Sequence, residues 1–160
     1  MRQVLTTGLL WFSALGCGVM AGVYFAFSTF IMTSLDRLDQ TAGIAAMNAI
    51  NVDIVRSLFM PLFLGTTVAG AALVAMGALR FSEPGAVSMI AGGALYVVGM
   101  FVVTAVFNVP LNDALAAVKP STPEAGAVWA SYLKDWVFWN HVRTIASGVA
   151  SALFITALAA

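Results

Sequence analysis

Two polar stretches interrupt an otherwise apolar chain. One is Thr104-Ala105-Val106-Phe107-Asn108-Val109-Pro110-Leu111-Asn112; the other is Trp136-Val137-Phe138-Trp139-Asn140-His141-Val142-Arg143-Thr144. They set amides, indoles and one guanidinium at the mouths of strongly apolar segments, where spanning a membrane requires no polar group. Arg143 can donate in a planar fork, and Asn140 carries a hydrogen-bonding amide. Trp136 and Trp139 bring aromatic faces, and Asn108 and Asn112 bring amides that can cap a helix end or touch a ligand. Such a set suits a ligand-binding site at the membrane boundary, with an anionic ligand among the partners open to Arg143. The acid–base candidates beside these groups are Asp113 and His141.

The elements that must position these residues follow from composition. Apolar residues make up 61% of 160 and charged residues 9%, with a mean hydropathy of +0.97, more than a soluble domain needs to bury one core. The chain therefore reads as an integral membrane protein in contact with a lipid bilayer. Charge-free intervals mark the spans. A helix needs about 20 apolar residues to cross the hydrocarbon, which predicts four helices, near residues 5–32, 57–79, 86–108 and 138–158, in a single domain covering 1–160. The fold class is all-α: a four-helix transmembrane bundle with two helical extramembrane loops on one side. Arg2 before an apolar run imitates a signal peptide, but the unbroken apolar length to Ile31 favours an uncleaved helix.

Periodicity assigns faces. In the first span Ala14, Gly18, Gly22 and Ala26 recur every four residues, a small-residue stripe suited to close helix packing. Tyr24 and Ser28 also share a face, either bonding a neighbouring helix or lining a pocket. In the third span Gly92, Tyr96, Met100, Thr104 and Asn108 form an i+4 row, after which Pro110 is expected to end the helix. Asn108 and Asn112 then either cap its carbonyls or touch a ligand. The loop over residues 33–56 holds a helix from about Thr41 that carries Asn48 and Asn51 and lies over the bundle mouth. The loop over 109–137 holds a capping-box pattern, Ser121-Thr122-Pro123-Glu124, which predicts a helix start near 122. If that helix continues into the fourth span, Trp129, Tyr132, Trp136, Trp139, Asn140, Arg143 and Ser147 share one face, and His141 points away from it. An inward Arg143 requires a partner: Asp53, Asp113, Asp135, helix-end carbonyls or an anionic ligand.

Composition also excludes. Seven basic residues balance seven acidic ones, so nucleic acid is not an expected partner. One His and one Cys in different spans make no ligand cluster, so no metal and no cofactor is expected. The stripe in the first span would permit a homo-oligomer. Arg37, Arg56, Lys119 and Lys134 against Arg2 and Arg80 point to cytoplasmic long loops.

The run Gly22-Val23-Tyr24-Phe25-Ala26-Phe27-Ser28 with Ile31-Met32, the Ile50-Asn51 pair, the Asn108–Asn112 turn, and Trp136 with Trp139-Asn140-His141-Val142-Arg143-Thr144 resemble the DUF1772, or anthrone oxygenase-like, membrane proteins. The resemblance covers nearly the whole chain. It implies a four-helix membrane protein, multi-pass in a bacterial cell membrane, and an oxidoreductase or monooxygenase that converts a hydrophobic aromatic small molecule of the anthrone type with molecular oxygen. On that reading Arg143, Asn140, Asp113 and His141 are the catalytic candidates. Trp136, Trp139, Asn108, Asn112, Tyr24, Ser28, Asn51, Tyr96 and Thr104 are the substrate-binding ones. A non-catalytic bundle that binds a lipid, quinone or aromatic ligand, or supports a partner complex, would use the same mouth. A transporter is the weaker third reading, since no buried acidic residue offers an ion relay.

Overall fold

The computed structural model describes residues 2–160. It is all-helical, 89% helix, with no strand among the described residues. The helices are α1 (Arg2–Ala26), α2 (Met32–Asp36), α3 (Gln40–Arg56), α4 (Phe59–Leu79), α5 (Ala86–Tyr96), α6 (Val109–Ala117) and α7 (Pro123–Ala159). Segments of π-helix, Phe27–Ile31, Val97–Val102 and Thr104–Asn108, join some of them into longer rods. Four rods are long and apolar enough to cross a membrane: Gln3–Asp36, Phe59–Leu79, Ala86–Ala117 and Pro123–Ala159. The first packs most extensively on the fourth, and α4 on α5.

The third span departs from its expected end. Pro110 does not stop the helix: Val109 keeps helical dihedrals and the rod runs on to Ala117. Inside an α-helix a proline ring clashes with the carbonyl four residues back. Here the preceding turn is widened, Val109 N–H bonding the Thr104 carbonyl five residues back, and Pro110 sits in the first turn of the next α segment, where its missing N–H costs little. The widening also sets the face. At 3.6 residues per turn, Asn108 would lie roughly 160° round from Gly92. Two π segments, with roughly 4.4 residues per turn, bring it back, and Gly92, Tyr96, Met100 and Asn108 are all buried.

At about 1.5 Å per residue, the 37 residues of α7 exceed the ~30 Å hydrocarbon thickness. The excess forms a second core outside the bundle. Trp129, Tyr132 and Trp136 of α7 pack with Ile44 and Met47 of α3, Leu115 of α6, and Met32 and Leu35 of α2. Asp39 caps α3 by accepting from the Thr41 N–H at 3.0 Å, one residue earlier than the expected start. The capping box at Ser121 does not form. The cap is Thr122, whose hydroxyl turns back to the Lys119 carbonyl at 3.1 Å, because Pro123 takes the first helical position.

Of the expected stripe, Ala14 is buried and its carbonyl accepts from the Ser151 hydroxyl at 2.8 Å, but the glycines are not where the helices come closest. A Cβ on Gly18 would meet only the Ser151 hydroxyl at 3.5 Å, and one on Gly22 would meet nothing within 4 Å. A Cβ on Gly93 would run into the Gly70 carbonyl of α4 and the Val74 side chain. Gly93→Val is therefore expected to lower stability in detergent by about 1–3 kcal/mol through overpacking, and Gly22→Ala to stay within about 0.5 kcal/mol of the parent. Thermal melts of both variants would check this, and equal melting would contradict the assigned α4–α5 contact.

Candidate functional site

Arg143 is 4% exposed in the fourth span, inside a bundle where an unpaired charge costs several kcal/mol. Among the described residues no carboxylate pairs with it; the single ion pair there joins Arg80 and Glu83 at 3.9 Å. Its guanidinium instead lies between two aromatic faces, 4.3 Å from the Tyr24 ring centroid and 5.0 Å from that of Trp136. Desolvated cation–π contacts are worth about 2 kcal/mol each. One terminal nitrogen donates to the Asn140 side-chain carbonyl at 2.7 Å, the other to the Thr104 hydroxyl at 3.3 Å. Nε has no acceptor. Asp53, Asp113 and Asp135 do not reach it.

Asn140 is the hub that fixes this arrangement. It is 0% exposed, accepts from Arg143, and donates from Nδ2 to the Tyr24 carbonyl and the Ser28 hydroxyl, both at 2.7 Å. Ser28 in turn lies 3.3 Å from the Thr144 hydroxyl. One amide thus ties the first span to the fourth and orients the guanidinium.

A largely apolar cavity of about 300 Å³ opens beside Arg143, at the lower end of small-molecule pockets, roughly 300–1,000 Å³. The first span contributes Tyr24 and Phe27, α3 contributes Met47, Ile50, Asn51 and Ile54, and α4 contributes Phe59 and Phe63. The third rod contributes Phe101, Thr104, Val109 and Asn112, and α7 contributes Trp136 and Arg143. Among the described residues Arg143 is the only charged side chain lining it. Asn112 is held by the Tyr132 hydroxyl, which donates to its side-chain carbonyl at 2.8 Å. The indole N–H of Trp136 is buried with no acceptor.

The structure thus brings Tyr24, Asn51, Thr104, Asn112, Trp136 and Arg143 around one cavity. The other candidates lie elsewhere. Asn108 is buried behind the wall and donates to the Trp136 carbonyl at 3.2 Å. Ser28 and Asn140 support rather than line it. Tyr96 sits in the bundle core with Cys17 and Met20, its hydroxyl unpartnered. Trp139, at the edge of the predicted stripe, is half-buried and stacked on Phe107, centroids 3.6 Å apart. Asp113 and His141 are exposed and do not line the cavity. Sequence reasoning missed the apolar wall of Met47, Ile54, Phe59 and Phe63. Its one available signal was the amphipathic α3 predicted over the mouth.

A family model, Anthrone oxygenase, matches residues 51–153. The chain belongs to the anthrone oxygenase family. The match takes in three of the four spanning rods and, of the cavity-lining polar residues, every one but Tyr24. Searches of curated proteins and of solved structures returned no match. Among the described residues no three His, Cys, Asp or Glu side chains gather as a metal site.

Proposed function

We propose that this protein is a membrane oxygenase that converts a planar anthrone-type aromatic to the quinone with O2, in the cavity beside Arg143. The observation that carries the reading is a single buried guanidinium, without a carboxylate partner among the described residues, on the wall of a largely apolar pocket of aromatic-ligand size. Phe27, Phe59 and Trp136 suit the faces of fused rings, and Arg143 suits the oxygen that becomes negative when the anthrone loses its methylene proton.

The reaction balances without a further reductant. The ring methylene gives up one proton, and the enolate passes one electron to O2 and couples with the superoxide formed, making a C–O bond. The resulting peroxide takes up a proton. Loss of the second methylene hydrogen as a proton breaks the O–O bond heterolytically, leaving C=O on the ring and releasing water. One oxygen atom stays in the quinone and the other leaves in water. Arg143 holds the charge on the carbonyl oxygen during the first steps, the kind of donor whose removal costs about 10²–10³ in rate, while Thr104, whose hydroxyl donates to the Met100 carbonyl at 2.7 Å, accepts from the guanidinium. Asn112 and Asn51 meet a second ring oxygen. Asp113 and His141 are assigned no part, because a base must come within hydrogen-bond reach of its proton.

The purified protein in detergent, given emodin anthrone, should consume one O2 per quinone formed at a rate well above the no-protein autoxidation control, read by an oxygen electrode and product mass. A rate equal to autoxidation would overturn the assignment. Unaltered anthrone recovered from a tight complex would favour the binding-bundle reading, for which the same apolar cavity serves.

A further inference from the structure

The cavity has an electrical peculiarity. Among the described residues it holds one positive charge and no negative one, and two buried donors of its lining find no acceptor in the protein: Nε of Arg143 and the indole N–H of Trp136. Of the five guanidinium N–H groups of Arg143, only two carry the bonds to Asn140 and Thr104. A neutral apolar ligand would leave the charge and all these donors uncompensated. An anion with two acceptor oxygens would satisfy both at once.

We infer that the pocket takes its ligand as a monoanion, ionised as it enters, so that Arg143 does the work a catalytic base would otherwise do; this rests on the oxygenase reading for the identity of the ligand alone. The bond broken is the ligand's own acidic C–H or O–H, and its proton goes to water at the pocket mouth. The titratable and charged groups around the guanidinium are few. Tyr24 faces it from the first span, and Tyr132 lies along α7. The third rod offers Thr104 and Asn112, α3 offers Asn51, and α4 offers apolar side chains, none of which ionises. Two effects compete. Apolar walls disfavour an ionised ligand, whereas an opposite charge within about 4–6 Å favours it by roughly one to three pH units. The second wins here, because the guanidinium is already desolvated in the folded protein and gains its only counter-charge from the ligand.

The test uses emodin, a hydroxyanthraquinone whose phenols change colour on ionising and which cannot be oxygenated again by this route. Its visible spectrum is titrated in detergent alone, with the parent protein, and with Arg143→Met and Trp136→Phe. The parent should shift the ionisation midpoint at least one pH unit down from the detergent value. Trp136→Phe, which keeps a ring and removes the N–H, should shift it less, and Arg143→Met should return it to the detergent value while still eluting as a folded bundle. Binding of the neutral form with an unshifted or raised midpoint would overturn the inference, and so would no binding at all. Should Arg143→Met not fold, an unshifted midpoint in the parent decides against it alone. A lowered midpoint without oxygen uptake on the anthrone would sink the oxygenase reading and leave the anion site standing. Oxygen uptake with neutral binding would do the reverse.

Discussion

Arg143→Met should lose about 10²–10³ in anthrone turnover while melting no lower than the parent. The first half follows from its place beside the developing oxyanion, where one charged donor contributes that factor. The second half is what separates a functional arginine from a structural one. Breaking a buried ion pair costs about 3–5 kcal/mol because the partner charge is left behind, but Arg143 has no ionic partner to strand. Its removal forfeits two cation–π contacts and two hydrogen bonds and leaves the buried Asn140 side-chain carbonyl without its donor. Against that, the bundle no longer holds a desolvated charge, a cost of several kcal/mol, and the thioether refills most of the space among apolar neighbours. Arg143→Lys keeps the charge but not the fork, so it should recover part of the turnover and less than the full shift in ligand ionisation. Oxygen uptake and thermal melts on the same three preparations check this. A large fall in melting temperature would make Arg143 a packing element instead.

The parts of this site legible in the sequence are those carried by regular helix. On α7 a fixed 3.6 period put Trp129, Tyr132, Trp136, Asn140, Arg143 and Ser147 on one face, and all are buried; His141, placed opposite, is exposed. Trp139 fell at the edge of that stripe, where a few degrees decide between the pocket and the Phe107 ring. The third span was less legible, because hydrophobic periodicity carries no sign of π turns and a proline in an apolar run reads as a stop. The apolar wall was least legible of all. In a helix such as α4, hydrophobic on every side, a residue facing lipid and one facing a cavity have the same chemistry, so Phe63 and Phe59 could not be told from their neighbours. The charge balance of the pocket was half visible: the guanidinium could be found, but the absence of a carboxylate near it depends on where α3 and α6 settle.

Asn140→Asp tests whether the pocket works by charge or by orientation, and its expected effect is nearly as large. The substitution keeps the side chain's size and its acceptor to Arg143, at 2.7 Å in the parent, so the guanidinium stays oriented. It adds a negative charge that supplies Arg143 with the counter-ion the ligand would otherwise bring. It also sets a carboxylate oxygen against the Tyr24 carbonyl, where Nδ2 donated. Interhelical hydrogen bonds in membrane bundles average about 0.6 kcal/mol and reach about 1.7, so the fold should survive that loss, offset in part by the new ion pair. Emodin ionisation should return to the detergent value, and turnover should fall about 100-fold or more. Asn140→Ala separates the two causes. It leaves the charge unneutralised but unanchored, and a displacement of about 1 Å is enough for a 10²-fold loss in rate, while a freed guanidinium can still meet an anion and keep the midpoint lowered. If Asp and Ala variants lower turnover alike yet both retain the shifted midpoint, orientation rather than charge is what Asn140 supplies. If the Asp variant alone loses the shift, the uncompensated charge of Arg143 is the property the site depends on.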